Sequence, residues 1–219
     1  ITGVGLRHLQ SITMPIDLDV STLELYLDDG DFLYHVMNGH EVLVLSAPNN
    51  GGGIVEFKET VTAGNTFTVV SIDPDFRSTG NYEIPENWNL LEFTSNSSEA
   101  SFYFRKNGFR YRIKNDNEVS IAYLVTNEIK KILCSEYRGD IVIPSTVTTS
   151  TGITFQVTSI DDGAFSPRCG EYYDFISSII IPDNVNVTSA SNIYFIKNGV
   201  CYEVLNNNEV RVLNYHYTG

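Results

Sequence analysis

The sequence predicts a mainly β protein, and three observations point that way. Charged residues make up only 19% of the 219 positions while Asn alone occurs 20 times, a balance that suits turns and sheet faces better than long solvated helices. Hydrophobic side chains reach 42% and aromatic ones 12%, mostly the 13 Tyr and 12 Phe, which is enough for a packed core and argues against disorder. The third observation decides the architecture. The chain repeats itself, and each copy alternates apolar and polar residues with period 2 between turn residues.

The clearest copies are residues 102–123 and 193–214, which align without gaps at an offset of 91 with ten identities in 22 positions. A weaker copy lies at Leu25–Leu45, where Tyr34, Val36, Asn38, Glu41 and Val42 fall on Tyr111, Ile113, Asn115, Glu118 and Val119. Each copy runs through an Asn-Gly or Asp-Gly turn, an alternating Tyr-x-Val/Ile stretch, an Asn-rich turn and then Glu-Val. That pattern predicts a three-stranded antiparallel meander with two tight turns. A second block follows each of the first two meanders: Gly64–Asp73 matches Gly152–Asp161 at seven of ten positions, with Phe76 and Phe165 a few residues on. A third block sets an apolar residue before proline, at Ser11–Pro15, Glu83–Asn87 and Ile180–Asn184. Proline lacks the ladder donor and holds the preceding residue in the β region, so each of these ends a short strand.

Laid in order, the blocks divide the chain into the end of one unit (1–21), a degenerate unit (22–99), a unit with the clearest motif (100–191) and the start of another (192–219). The chain begins at Ile1 without Met and is cut in mid-cycle at both ends, so the expectation is a segment excised from a longer chain. Thr126–Cys134, with Ile129, Ile132 and Leu133 on one face and Thr126 as cap, is the one candidate for a short helix.

Three stretches together resemble the BspA-like leucine-rich repeat proteins of Bacteroides-type bacteria. They are Tyr137-Arg-Gly-Asp-Ile-Val-Ile-Pro-Ser-Thr-Val147, Phe155-Gln-Val-Thr-Ser-Ile-Asp-Asp-Gly-Ala-Phe165 and Ser177–Val185, while residues 6–20 are similar to the tail of such a repeat. The resemblance is strong over 137–187, moderate over 6–20 and weak over 53–89. It implies a leucine-rich-repeat-type solenoid, here interrupted by the antiparallel meanders, with Val157, Ile160 and Phe165 facing a core that only stacked neighbours can close. It also implies a secreted or cell-surface protein that works in adhesion or recognition, with a protein or glycan ligand, host matrix among the candidates. No catalytic residue, cofactor or metal comes with the family.

The rest of the chain agrees with a binding role by exclusion. The 14 Lys and Arg against 27 Asp and Glu leave a net charge of -13, which repels phosphate backbones and anionic headgroups. No apolar run approaches the roughly 18 residues of a membrane span, so no membrane insertion of this segment is expected. Cys134, Cys169 and Cys201 give neither a disulfide framework nor a zinc spacing, and buried thiols are expected. His8, His35, His40 and His216 match no metal-ligand spacing, and His35 and His40 read as exposed turn histidines. Asn49–Gly53 reads as a flexible loop. Asp28–Asp31, Asp73–Asp75 and Asp161–Gly163 read as solvated turns and not as calcium loops. Carboxylate pairs for glycoside hydrolysis are defined by separation in space, which a sequence does not give.

One tripeptide stands out as a ligand candidate: Arg138, Gly139 and Asp140 spell the integrin-recognition motif. In the family pattern, however, Gly-Asp here is the turn entering the Ile-Val-Ile-Pro strand. The bacterial origin that the resemblance implies makes the sequons at Asn96 and Asn186 accidental. The aromatics read as core, with Trp88 and exposed Tyr as the material for a glycan-stacking face. The sequence thus predicts a non-catalytic recognition or adhesion scaffold, with a carbohydrate-binding module as the alternative.

Overall fold

The computed structural model describes residues 7–48, 54–76, 78–93, 100–123, 137–165, 176–198 and 200–213. The protein is mainly β, and its chain forms two compact units, Ile1–Tyr103 and Phe104–Gly219.

The first unit holds β1 (Arg7–Leu9), β2 (Leu25–Asp28), β3 (Leu33–Val36), β4 (Glu41–Ser46), β5 (Ile54–Glu56), β6 (Thr60–Ala63), β7 (Asn65–Ile72), β8 (Gly80–Glu83) and the Ala100–Tyr103 part of β9 (Ala100–Lys106). One sheet has the order β1-β2-β3-β4-β7-β6. In a second, β5, β8 and β9 lie side by side and parallel. The antiparallel trio β2-β3-β4 is the meander expected from the degenerate copy, with Leu27 opposite Tyr34 and Tyr34 opposite Val44. Its alternation puts Leu27, Tyr34, Val36, Val42 and Val44 into the core. Strand β7 then pairs with β4 in parallel, Val42 opposite Val69 and Leu43 opposite Ser71, which leaves Val70 as a bulge.

Aromatic rings fill the interior of this unit. Phe57 stacks on Tyr82 at 5.4 Å and on Trp88 at 5.7 Å, and Phe102 meets Phe93 at 5.1 Å. The proline blocks act as expected at β8, which stops at Glu83 just before Ile84-Pro85. The first proline block is pinned to the meander by Asn65, whose side-chain amide donates to Met14 O and to Gly39 O.

The second unit holds the rest of β9, then β10 (Phe109–Asn115), β11 (Glu118–Ala122), β12 (Gly139–Val142), β13 (Thr146–Thr148), β14 (Thr154–Ile160), β15 (Ile176–Ile180), β16 (Tyr194–Lys197), β17 (Val200–Asn206) and β18 (Glu209–Leu213). Within it, β13-β14-β11-β10 run in that order in one sheet and β12-β15-β16-β17-β18 in the other. The repeat is reproduced in register as well as in sequence. Strand β14 pairs with β11 in parallel, Val119 opposite Val157 and Ser120 opposite Ser159, so Thr158 is bulged at the place of Val70. Phe155 packs on Phe104 at 5.9 Å, and Tyr137 meets Phe165 at 4.6 Å. The hydroxyl of Tyr137 donates to Ala122 O and accepts the Arg110 N–H, satisfying two backbone groups of buried strand ends.

The two turns of each meander follow from their residues. Between β9 and β10 the loop is Asn107-Gly108, both at positive φ (51° and 79°), as a two-residue hairpin requires. The Asn-rich turn has a recurring lock. In all three copies an Asn amide donates to the Glu side chain three residues on: Asn38 to Glu41 at 2.7 Å, Asn115 to Glu118 at 3.3 Å and Asn206 to Glu209 at 2.7 Å. The same Asn oxygen accepts a backbone N–H two residues on, from His40, Asn117 and Asn208, each at 2.9 Å.

The solenoid is a correction. A solenoid stacks like strands into one continuous parallel sheet, whereas these sheets are mixed and not solenoidal. The tight hairpins are the reason, because the meanders insert antiparallel neighbours among the parallel strands. Among the described residues, helical structure is limited to the 3-10 turns Leu90–Phe93 and Ser189–Ser191. The helix expected at Thr126–Cys134 lies outside those residues.

Gly39 gives a test of how tightly the first proline block is seated. A Cβ on Gly39 would fall 2.1 Å from Pro15 O and 2.6 Å from Ile16 Cα, both backbone atoms. Gly39→Ala is therefore expected to lower the stability of the first unit by about 1–3 kcal/mol, as overpacking does. A urea midpoint equal to wild type would mean that residues 11–16 are not held against this turn.

Candidate functional site

Arg138 is exposed, and the chain bends at Gly139, with φ 69°, into β12, an edge strand of its sheet. Asp140 is exposed on that strand, and its Oδ1 accepts a hydrogen bond of 2.6 Å from Ser178 Oγ on β15. The tripeptide is thus the start of an edge strand, not the tip of a loop. Parallel pairing sets Asp140 opposite Ser178 and Val142 opposite Ile180. The alternate residues Ile141, Ile143 and Ile176 turn inward. Outward the pairs form a small ladder, one polar and hydrogen-bonded, the next apolar, with Val142 60% and Ile180 61% exposed. Two large aliphatics side by side in solvent stand out on strands whose opposite side chains, Ile141, Ile143 and Ile176, are buried.

The acidic turns are occupied by the protein itself. Asp29 Oδ1 accepts the N–H groups of Asp31 and Phe32, and Oδ2 takes Lys58 Nζ at 2.7 Å. Asp73 Oδ1 accepts from Asp75 N, and its Oδ2 lies 2.8 Å from His35 Nδ1. Asp161 receives Arg112 through two bonds of 2.7 Å. Among the described residues no group of three or more His, Cys, Asp or Glu is placed to hold a metal.

His35 corrects the expectation of an exposed turn histidine. It sits within β3, half-buried, and the alignment places it on Arg112, so His35–Asp73 and Arg112–Asp161 are one cross-strand pair in two versions. His40 is exposed in its turn as expected, while the side chain of His8 and all of His216 lie outside what is described. Cys201 is buried and free, and burial together with the charge of Glu203 pushes its thiol pKa up, which makes it a poor nucleophile. Cys134, Cys169, the glycine run 49–53 and the sequon at Asn96 lie outside the described residues. Asn186 is exposed, and its backbone bonds to Thr158 and Ile160.

Trp88 is 4% exposed, with Phe57 and Phe93 stacked against it, so it offers no stacking platform. Sequence reasoning missed Ser178 and the Val142–Ile180 pair as surface features, since an Ile-Val-Ile run reads as buried on both faces. It missed the Arg112–Asp161 and His35–Asp73 pairs as well, although the repeat offsets placed both couples in register. Compared with known proteins, the chain matches no family model, no curated protein and no solved structure.

Asp29 supplies a pH test. Burial would raise its carboxyl pKa, but the Lys58 ammonium and the N–H groups of Phe32 and Asp31 outweigh it and hold the carboxyl below its ordinary range. A depressed carboxyl stabilises the fold above the unfolded-state value of about 3.9 and loses that contribution as pH falls through the folded value. The Tm difference between wild type and Asp29→Asn is therefore expected to be largest near neutral pH and to close as pH falls below about 4. A difference that is constant across that range would show that the Asp29 charge does not contribute.

Proposed function

We propose that this chain is a non-catalytic recognition module of a bacterial secreted or cell-surface protein, and that it binds a protein partner through the outward face of β12 and β15. The observation that carries the reading is the Asp140–Ser178 and Val142–Ile180 ladder. It lies within residues 137–187, the stretch with the strongest resemblance to the BspA-like repeats. A strand edge with a charged residue at its start and two aliphatics beside it suits docking of a peptide or sheet edge, where main-chain bonds supply affinity and side chains supply selection. The strand-then-Ile-Pro segments at 139–144 and 176–182 are read as remnants of leucine-rich-repeat coils. Arg138 and Asp140 precede the apolar pair and would set the charge preference of a partner, host matrix proteins being the first class to try.

A carbohydrate-binding module is the second reading. It is favoured by Phe195 and Tyr202, half-buried and stacked at 5.1 Å with 12° between the rings.

The test is binding of the purified chain to a panel of immobilised matrix proteins and to a glycan array. Saturable binding to a protein, reduced at least tenfold in Val142→Asp/Ile180→Asp with Tm unchanged, is the expected result. Binding to glycans alone, lost in Tyr202→Ala but not in the double variant, would replace the first reading by the second. Asp140→Glu separates the tripeptide from the apolar pair: attachment of integrin-bearing cells that survives the change excludes integrin recognition.

A further inference from the structure

The third meander is open where the first two are closed. Val42 and Val44 in β4, and Val119 and Ile121 in β11, are at most 1% exposed, whereas their counterparts Val210 and Val212 in β18 are 50% and 58% exposed. Tyr34 and Tyr111 are buried, as are Leu27 and Phe104, yet their counterparts Tyr202 and Phe195 are only half-buried. A difference in strand pairing accompanies it. Strands β4 and β11 each receive a parallel strand of the Phe-x-Val-x-Ser-Ile block, β7 and β14, while β18 pairs only with β17 among the described residues.

The two closed copies specify how such a strand sits. In the first, His40 O and Val44 O accept from Thr68 N and Asp73 N; in the second, Asn117 O and Ile121 O accept from Gln156 N and Asp161 N. The matching acceptors on the open copy are the carbonyls of Asn208 and Val212. Phe155 packs on Phe104, the counterpart of Phe195.

We infer that the edge of β18 left unpaired among the described residues, with Val210, Val212, Phe195 and Tyr202, is a docking site for a parallel β-strand of this same Phe-x-Val-x-Ser-Ile block, carried on another stretch of polypeptide. The block Val lies opposite Val210, its Ser opposite Arg211 and its Ile opposite Val212, as the pairing of β11 with β14 prescribes. Charge adds a preference. The basic side chain that receives the block aspartate, His35 or Arg112, is replaced by Glu203, which is buried and already paired with Arg211. The position after the block Ile is therefore better filled by a neutral residue than by aspartate. The site is at the opposite edge of the sheet from β12 and stands or falls independently of the proposed recognition face.

The experiment titrates the isotope-labelled chain with a synthetic peptide of residues 151–162. Shifts and slowed amide exchange confined to β18 and its neighbours are expected, with submillimolar affinity. The Asp161→Asn peptide should bind at least threefold tighter, and the Phe155→Ala peptide at least tenfold weaker. Val212→Asp in the chain should abolish binding without lowering Tm, since Val212 faces solvent. Four results would overturn the inference: no shifts at millimolar peptide, equal binding by the Phe155→Ala peptide, unchanged binding by the Val212→Asp chain, or protection of β18 that rises with chain concentration alone, which would mean that a second copy covers the edge.

Discussion

The third strand of a three-stranded meander is an edge, with a row of backbone groups and flanking apolar side chains that need a neighbour, and that constraint shapes the rest of the molecule. The answer in both closed copies is a parallel strand laid against the third strand of the meander, with one residue bulged at the same place, Val70 or Thr158. The bulge is a consequence of what must be matched at either end. Val opposite Val and Ile opposite Val or Ile bury the core face, while His35 or Arg112 reaches the closing aspartate. Apolar burial supplies most of the stabilisation of such a closure, and the hydrogen-bonded polar pair fixes its register.

Much of this was legible in the residues. Asn-Gly dictates a two-residue hairpin whatever surrounds it, and the recurrence of Asn three residues before Glu signalled a turn that proves to be closed by a side-chain bond in every copy. Proline after isoleucine ended β8 and β15 as chemistry requires. What was not legible is which sheet each strand joins. Ile141-Val142-Ile143 is equally apolar at every position, yet Ile141 and Ile143 are buried while Val142 and its neighbour Ile180 are exposed. Asp73 lies 38 residues from His35, so their pairing depended on a sheet order that periodicity does not contain.

The candidate surface was half legible for the same reason. That Gly139 and Asp140 enter a strand followed from the family pattern and from the run of β-branched residues after them. That the strand is an edge, with Ser178 holding the Asp140 carboxylate, followed from tertiary pairing alone. Local chemistry fixed the turns and the strand ends, and distant chain segments decided what faces water.

The order in which the chain visits its sheets has a kinetic consequence. It leaves the first sheet after β4 to place β5 in the second, returns for β6 and β7, and leaves again for β8 and β9. The path through β11, β12, β13, β14 and β15 repeats the same exchange. Neither sheet of a unit can be completed before the other has begun, so long loops must close before their contacts are rewarded. Slow, highly cooperative folding, with no stable fragment made of one sheet alone, is the behaviour that this threading imposes.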